Sequence, residues 1–142
     1  MNRFELVADI PGPRRAVWDA LADHKGWERW AGVREVVLRQ QGDPPPNGIG
    51  AIRVIRQGGL AIEEEITAFD APKRMAYRMT AGAPVRDYNA EIRLEEAGTG
   101  TRVTWTVEFR PRIPLTGGLL ERALRRSLGD VLARLARLDF GA

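Results

Sequence analysis

The chain has 142 residues, 44% of them hydrophobic and 29% charged, which is the composition of a soluble globular protein with one sizeable core. It contains no cysteine, which excludes a disulfide framework, a thiolate metal site and a cysteine nucleophile. The net charge of +3 is too small an excess to indicate a nucleic-acid partner. We therefore expect a single domain over residues 1–142 that does not bind nucleic acid.

The first residues show no targeting signal. Met1-Asn2-Arg3-Phe4-Glu5-Leu6 lacks the apolar run and the small-residue cleavage site of a secretory signal. No stretch approaches the roughly 20 apolar residues of a membrane span. We expect a cytoplasmic protein without a membrane span.

The N-terminal quarter predicts a strand and two short helices. Residues 4–10 alternate loosely and end at Pro11-Gly12-Pro13, which is typical of a strand closed by a breaker. Apolar residues recur at helical spacing in residues 14–22. A second short helix carries Trp27 and Trp30.

From residue 33 the apolar period changes to two. Strands are predicted near 33–40, 50–57, 60–69, 74–81, 86–96 and 101–110, joined by short Gly, Pro and Asp turns. Links of this length favour antiparallel pairing. The last element is a helix over about 116–138, and we expect its apolar stripe to be buried at Leu124, Leu128, Val131 and Leu135.

The first hairpin places two charged residues on an otherwise apolar face. A two-residue Gly58-Gly59 turn pairs Gln57 with Leu60 and therefore sets Arg53 opposite Glu64. The same face carries Ala51, Ile55, Ile62 and Ile66, which indicates that it points inward. Two charges that face an apolar interior are costly unless they pair or bind a polar group.

The second hairpin presents an apolar face of the same kind. A four-residue loop at 97–100 pairs Leu94 with Val103, Ile92 with Trp105, Ala90 with Val107 and Tyr88 with Phe109. Met75, Tyr77 and Met79 form a similar stripe on the strand between the hairpins. We expect these stripes to face the interior.

Four strings follow one another along the chain: Val17-Trp18-Asp19-Ala20-Leu21-Ala22-Asp23 followed by Trp27 and Trp30, Gly48-Ile49-Gly50, residues 69–77 and Gly100-Thr101-Arg102-Val103-Thr104-Trp105. In this order they resemble the START/SRPBCC superfamily, which includes polyketide cyclase/dehydrase-like and birch-pollen-allergen-like proteins. The resemblance implies an α+β helix-grip fold, in which a curved seven-stranded antiparallel sheet wraps a long C-terminal helix and two short helices follow strand 1.

The resemblance implies a cavity between sheet and helix for a small hydrophobic ligand, such as a lipid, an aromatic or a polyketide-like compound. We expect ligand contacts from residues on the inward stripes, namely Arg53, Glu64, Tyr77, Met79, Tyr88, Trp105 and Phe109. Trp18, Trp27 and Trp30 would lie near the cavity mouth, beside the loop containing Pro44, Pro45 and Pro46, although Trp18 is better explained as an anchor of its helix.

Two other functions stay open. A polyketide cyclase or dehydratase would need a proton-transfer group in the pocket, for which Glu64, Tyr77 and Tyr88 are the candidates. A module similar to the chaperone-activator branch would bind a protein on the outer face of the sheet. The sequence identifies no catalytic residue and leaves a homodimer open.

His24 is the only histidine, which excludes a multi-histidine metal centre. It lies between Asp23 and Lys25, where a solvated loop residue is the ordinary expectation. The carboxylates show no recognisable metal-ligand spacing. We expect neither a metal site nor a cofactor.

Overall fold

The computed structural model describes residues 1–141 and has the predicted order of elements. The seven strands are β1 (Asn2–Ile10), β2 (Glu35–Gln40), β3 (Ile52–Gln57), β4 (Leu60–Asp70), β5 (Arg74–Ala81), β6 (Val85–Ala97) and β7 (Gly100–Pro111). The helices are α1 (Arg14–Ala22), α2 (Trp27–Trp30) and α3 (Gly117–Ala136). The helix-grip α+β fold expected from the sequence is thus confirmed.

The strands form one curved antiparallel sheet in the order β1-β7-β6-β5-β4-β3-β2. Each strand from β2 to β7 pairs with its neighbour in the chain, because the connections are short enough to return the backbone antiparallel. β1 pairs with β7, which brings the two ends of the strand sequence together at one edge. Alternation along the strands gives the sheet one apolar face and one polar face.

The long helix α3 lies on the apolar face, mainly against β1 and β7. Val131, Leu132 and Leu135 in its C-terminal half are buried. Leu124 and Leu128 are only half-buried, so the expected burial is wrong for these two residues. The reason is that they border a cavity between the helix and the sheet.

Both hairpins have the predicted register over most of their length. Arg53 pairs with Glu64 in the first hairpin, and Ile92 pairs with Trp105 in the second. The ladder between β6 and β7 shifts between Arg86 and Asn89, so the expected pairing does not extend regularly to Tyr88. None of the helices in residues 1–141 is long and apolar enough to cross a membrane.

Candidate functional site

Arg53 and Glu64 form an ion pair inside the protein. Nε and Nη2 of Arg53 lie 3.0 and 2.9 Å from Oε1 of Glu64. The Arg53 side chain is 1% exposed and that of Glu64 is 7% exposed, so the pair is almost removed from water. The hairpin register produces this geometry, since directly opposed residues on one face of an antiparallel pair are neighbours.

A third residue, His24, is hydrogen-bonded to the ion pair. Nη1 of Arg53 donates a hydrogen bond to Nδ1 of His24 at 3.0 Å, because a guanidinium has donors only. The imidazole proton then lies on Nε2, which donates to the backbone carbonyl of Asn47 at 2.9 Å. His24 is fully buried, so the expectation of a solvated loop residue is wrong.

The turn between α1 and α2 places His24 in this position. Oδ1 of Asp23 accepts a hydrogen bond from the backbone N–H of Gly26 at 3.1 Å, which closes a side-chain-supported turn around His24. Nε1 of Trp27 donates to the carbonyl of Leu21 at 3.0 Å and fixes the indole against the end of α1. Nothing in the local sequence distinguishes this buried histidine from one on an exposed turn.

Two aromatic rings cover the guanidinium of Arg53. Its Cζ lies 4.8 Å from the ring centre of Trp27 and 5.0 Å from that of Tyr77. Both distances allow cation–π attraction, which compensates in part for the lost hydration of the charge. Arg53 is therefore held by Glu64, by His24 and by the two rings.

These groups lie at one end of a cavity of about 230 Å³ between the sheet and α3. The walls are mostly apolar or aromatic. The lining residues are Trp27, Val33, Arg53, Ile55, Gln57, Leu60, Ile62, Glu64, Tyr77, Met79, Ala83, Pro84, Tyr88, Trp105, Leu120, Ala123, Leu124, Ser127, Leu128 and Val131. A mostly apolar concave surface with a few converging polar groups is the usual character of a small-molecule site.

The sequence predicts seven residues that contact a ligand, and six of them line this cavity: Arg53, Glu64, Tyr77, Met79, Tyr88 and Trp105. Phe109 does not. Its ring is fully buried in the core, where it packs against Tyr88 with ring centres 6.4 Å apart. The shared face of β6 and β7 continues past the cavity into solid core, and a two-residue period cannot distinguish these two environments.

The cavity mouth lies at the opposite end from the one expected. The exposed lining residues, such as Leu60, Pro84 and Ala123, belong to the β3–β4 turn, the β5–β6 loop and the first half of α3. Trp27 lines the closed end, whereas Trp18 packs on Phe69 with ring centres 5.1 Å apart. Trp18 thus anchors its helix to the sheet.

Neither Trp30 nor the three prolines at 44–46 line the cavity. The ring of Trp30 packs against that of Trp27, with ring centres 5.4 Å apart. The loop that contains the prolines is joined to His24 through Asn47 and so lies behind the closed end.

The two tyrosines lie side by side at the closed end, with ring centres 6.3 Å apart. The hydroxyl oxygen of Tyr77 accepts a hydrogen bond from Nε1 of Trp105 at 3.1 Å. Burial raises the pKa of both Tyr77 and Tyr88, so both hydroxyls keep their protons at neutral pH.

Burial also controls the other ionisable groups. It lowers the pKa of His24 to about 3, and the nearby Arg53 charge acts in the same direction, so the imidazole is neutral. Burial raises the pKa of Glu64, while the charge and hydrogen bonds of Arg53 oppose that rise. The closed end thus combines one compensated ion pair with neutral polar groups.

Comparison with known proteins gives a family match over residues 1–138, to the family described as polyketide cyclase / dehydrase and lipid transport. An uncharacterized protein of Mycobacterium tuberculosis and another of Mycobacterium bovis are each 31% identical over 141 residues. In each case the match covers 90% of this chain and 81% of the relative.

Solved structures share the fold at low sequence identity. A START superfamily protein from Mycobacterium smegmatis superposes with a TM-score of 0.81 at 6% identity, over 94% of each chain. XoxI from Bacillus cereus gives 0.81 at 17% identity, over 96% of this chain and 94% of that one. Ara h 8.0201 gives 0.74 at 16% identity, over 95% and 94%.

The sheet that curves around α3, with a cavity between them, defines a protein of the helix-grip fold, which it shares with the START superfamily structure. The match over residues 1–138 makes the assignment more specific: the chain belongs to the polyketide cyclase / dehydrase and lipid transport family.

Proposed function

We propose that the protein binds a small hydrophobic molecule in the cavity between the sheet and α3. One observation carries this proposal: the apolar cavity of about 230 Å³ ends at a buried, ordered polar cluster. A purely structural core would be filled, because protein interiors pack as densely as organic crystals and contain few voids larger than a water molecule.

The polar cluster supports a binding role because it is kept at a cost in stability. Burying an ion pair such as Arg53 and Glu64 is often no more favourable than burying apolar side chains of similar volume. The pair lines the cavity, where it can orient a polar group of an otherwise apolar ligand. Binding at this position would also exclude water from the half-buried face of Leu124 and Leu128.

Native mass spectrometry of the freshly purified protein tests the proposal. We expect a mass increment from a co-purified small molecule, or one that appears on incubation with an apolar extract of the source cells. The Leu124→Trp variant, which fills the cavity from α3, should abolish the increment. Leu119→Trp is the matched control, because Leu119 is exposed on the same helix and does not line the cavity.

A second candidate function is catalysis of the cyclase or dehydratase type. The observation that favours it is a carboxyl group, that of Glu64, which lines an apolar cavity and whose pKa is raised by burial. A general acid or base at neutral pH needs such a shift. If a substrate is identified, Glu64→Gln should lower kcat by at least about 100-fold, and turnover at the wild-type rate would rule out this role.

A further inference from the structure

Three of the five N–H donors of Arg53 are directed at neighbouring groups of the protein. Nε and Nη2 both point to Oε1 of Glu64, and Nη1 points to Nδ1 of His24. Trp27 and Tyr77 cover the guanidinium faces at 4.8 and 5.0 Å. Its positive charge is therefore already balanced by Glu64, and the fork formed by Nε and Nη2 is already occupied, so a ligand carboxylate would not find that pair of donors free.

The second carboxylate oxygen of Glu64, Oε2, is by contrast not engaged by Arg53. Both contacts from Arg53 reach Oε1, and within residues 1–141 no hydrogen-bond donor is paired with Oε2. Oε2 is nevertheless not a fully buried atom without a hydrogen-bond partner, and Glu64 lines the cavity. An ionised carboxylate only accepts hydrogen bonds, so the group that meets Oε2 must be a donor.

The net charge of the closed end is zero. Arg53 and Glu64 cancel, the imidazole of His24 accepts from Arg53 and donates to Asn47 as a neutral ring, and the two tyrosines are neutral phenols. A ligand carboxylate or phosphate would place a second negative charge beside Glu64 in a region with little water. Like charges at short range in such a region repel strongly.

The size and walls of the cavity restrict the ligand further. Its volume of about 230 Å³ exceeds the roughly 150 Å³ in which a protein interior holds benzene. It is below the roughly 300 Å³ at which sites for drug-sized ligands begin. Four aromatic side chains line the closed end: Trp27, Tyr77, Tyr88 and Trp105.

We infer that the cavity selects a neutral, hydroxyl-bearing aromatic molecule of one or two rings, whose hydroxyl donates to Oε2 of Glu64, and that it discriminates against carboxylates. This inference rests on the proposed binding function and names the ligand class for it. The ion pair acts as a specificity element, since Glu64 uses one oxygen to neutralise Arg53 and leaves the other for the ligand.

Three probes of nearly equal shape test this inference: 2-naphthol, 2-naphthoate and naphthalene, titrated into the wild-type protein and followed by calorimetry or by methyl NMR shifts. We expect 2-naphthol to bind about ten-fold tighter than naphthalene, because it adds one hydrogen bond to a charged acceptor. We expect 2-naphthoate to bind at least ten-fold more weakly than 2-naphthol.

The Glu64→Gln variant should invert the order of the affinities for 2-naphthol and 2-naphthoate. In Glu64→Gln the Arg53 charge loses its partner, so 2-naphthoate should gain affinity while 2-naphthol loses it. Glu65→Gln is the control, because Glu65 follows Glu64 in the chain but pairs with the exposed Arg78, 2.7 Å away. The control should keep the wild-type order of affinities.

The outcomes separate this inference from the proposed function. Equal affinity for all three probes would overturn the selectivity for donors and leave the cavity as a binding site. Tightest binding of 2-naphthoate by the wild-type protein would overturn the neutral ligand class. If no probe binds while native mass spectrometry shows a co-purified molecule, the ligand class is wrong and the binding function stands.

Discussion

Arg53 and His24 are in direct contact although they lie 29 positions apart in the chain: Nη1 of the guanidinium is 3.0 Å from Nδ1 of the imidazole. A protonated imidazole could not accept this hydrogen bond and would place a second positive charge against Arg53. The contact therefore requires a neutral ring. It also links the β3–β4 hairpin to the loop of Asn47 that covers the closed end of the cavity.

The neutral state of His24 predicts a loss of stability in acid. Its pKa is about 3 in the folded protein, against an ordinary value of 6.5, so the unfolded chain takes up a proton at higher pH than the folded one. The contribution is complete above about pH 6.5 and is lost as the pH falls towards 3. The slope for one proton is at most about 1.4 kcal/mol per pH unit.

Urea unfolding of the wild type and of His24→Gln between about pH 8 and pH 4.5 measures this loss. The stability advantage of the wild type should shrink by about 2–3 kcal/mol over the lower two pH units. Glu64 titrates in both proteins, so the difference between them reports on His24. An NMR signal of the single imidazole that titrates near pH 6.5 in the folded state would contradict the burial.

Removal of one partner of the Arg53–Glu64 pair should destabilise the fold more than removal of both. Glu64→Leu leaves Arg53 buried without its counter-charge, which typically costs about 3–5 kcal/mol. The double variant Arg53→Met with Glu64→Leu removes the charge as well and should recover most of that loss. Denaturant titration of Glu64→Leu, of Arg53→Met and of the double variant gives the comparison.

A surface pair provides the control for that experiment. Glu65 follows Glu64 on β4 and pairs with Arg78 on β5, but the Arg78 side chain is 56% exposed, so Glu65→Leu should change the free energy of unfolding by less than about 1 kcal/mol. If the double variant at Arg53 and Glu64 were less stable than Glu64→Leu alone, the buried pair would not be the origin of the effect.

Two leucines of α3 should respond differently to truncation. Leu135 is fully buried, so Leu135→Ala leaves a new void and should cost about 2–5 kcal/mol. Leu128 already borders the cavity and is half-buried, so Leu128→Ala removes fewer packing contacts and should cost less. Equal losses in thermal or urea unfolding would show that the cavity is closed in solution.

The two glycines of the β3–β4 turn should also differ. Gly58 has a φ of +57°, a conformation that strains a residue with a Cβ, and a Cβ at either Gly58 or Gly59 would meet no atom within 4 Å. Gly58→Ala should therefore cost about 1 kcal/mol through backbone strain alone. Gly59→Ala is the matched control and should change the stability less, as measured by urea unfolding.

Much of the fold follows from the sequence because strands, turns and amphipathic helices are local patterns. The Gly58-Gly59 turn and the flanking isoleucines determine the register of the first hairpin, and with it the position of Arg53 opposite Glu64. The inward stripes of β5, β6 and β7 follow from the same two-residue period. Together these features predict six of the seven proposed cavity residues.

Tertiary structure alone decides where the apolar stripes meet solid core and where they meet a cavity. Phe109 and Trp105 share a face of β7, but only Trp105 lines the cavity, because the position of α3 over the sheet determines which residues are covered. The role of His24 is likewise decided by a contact with Arg53 across the fold. The sequence determines which side chains point inward, whereas the packing of distant elements determines what each one meets, because that depends on three-dimensional proximity and not on spacing along the chain.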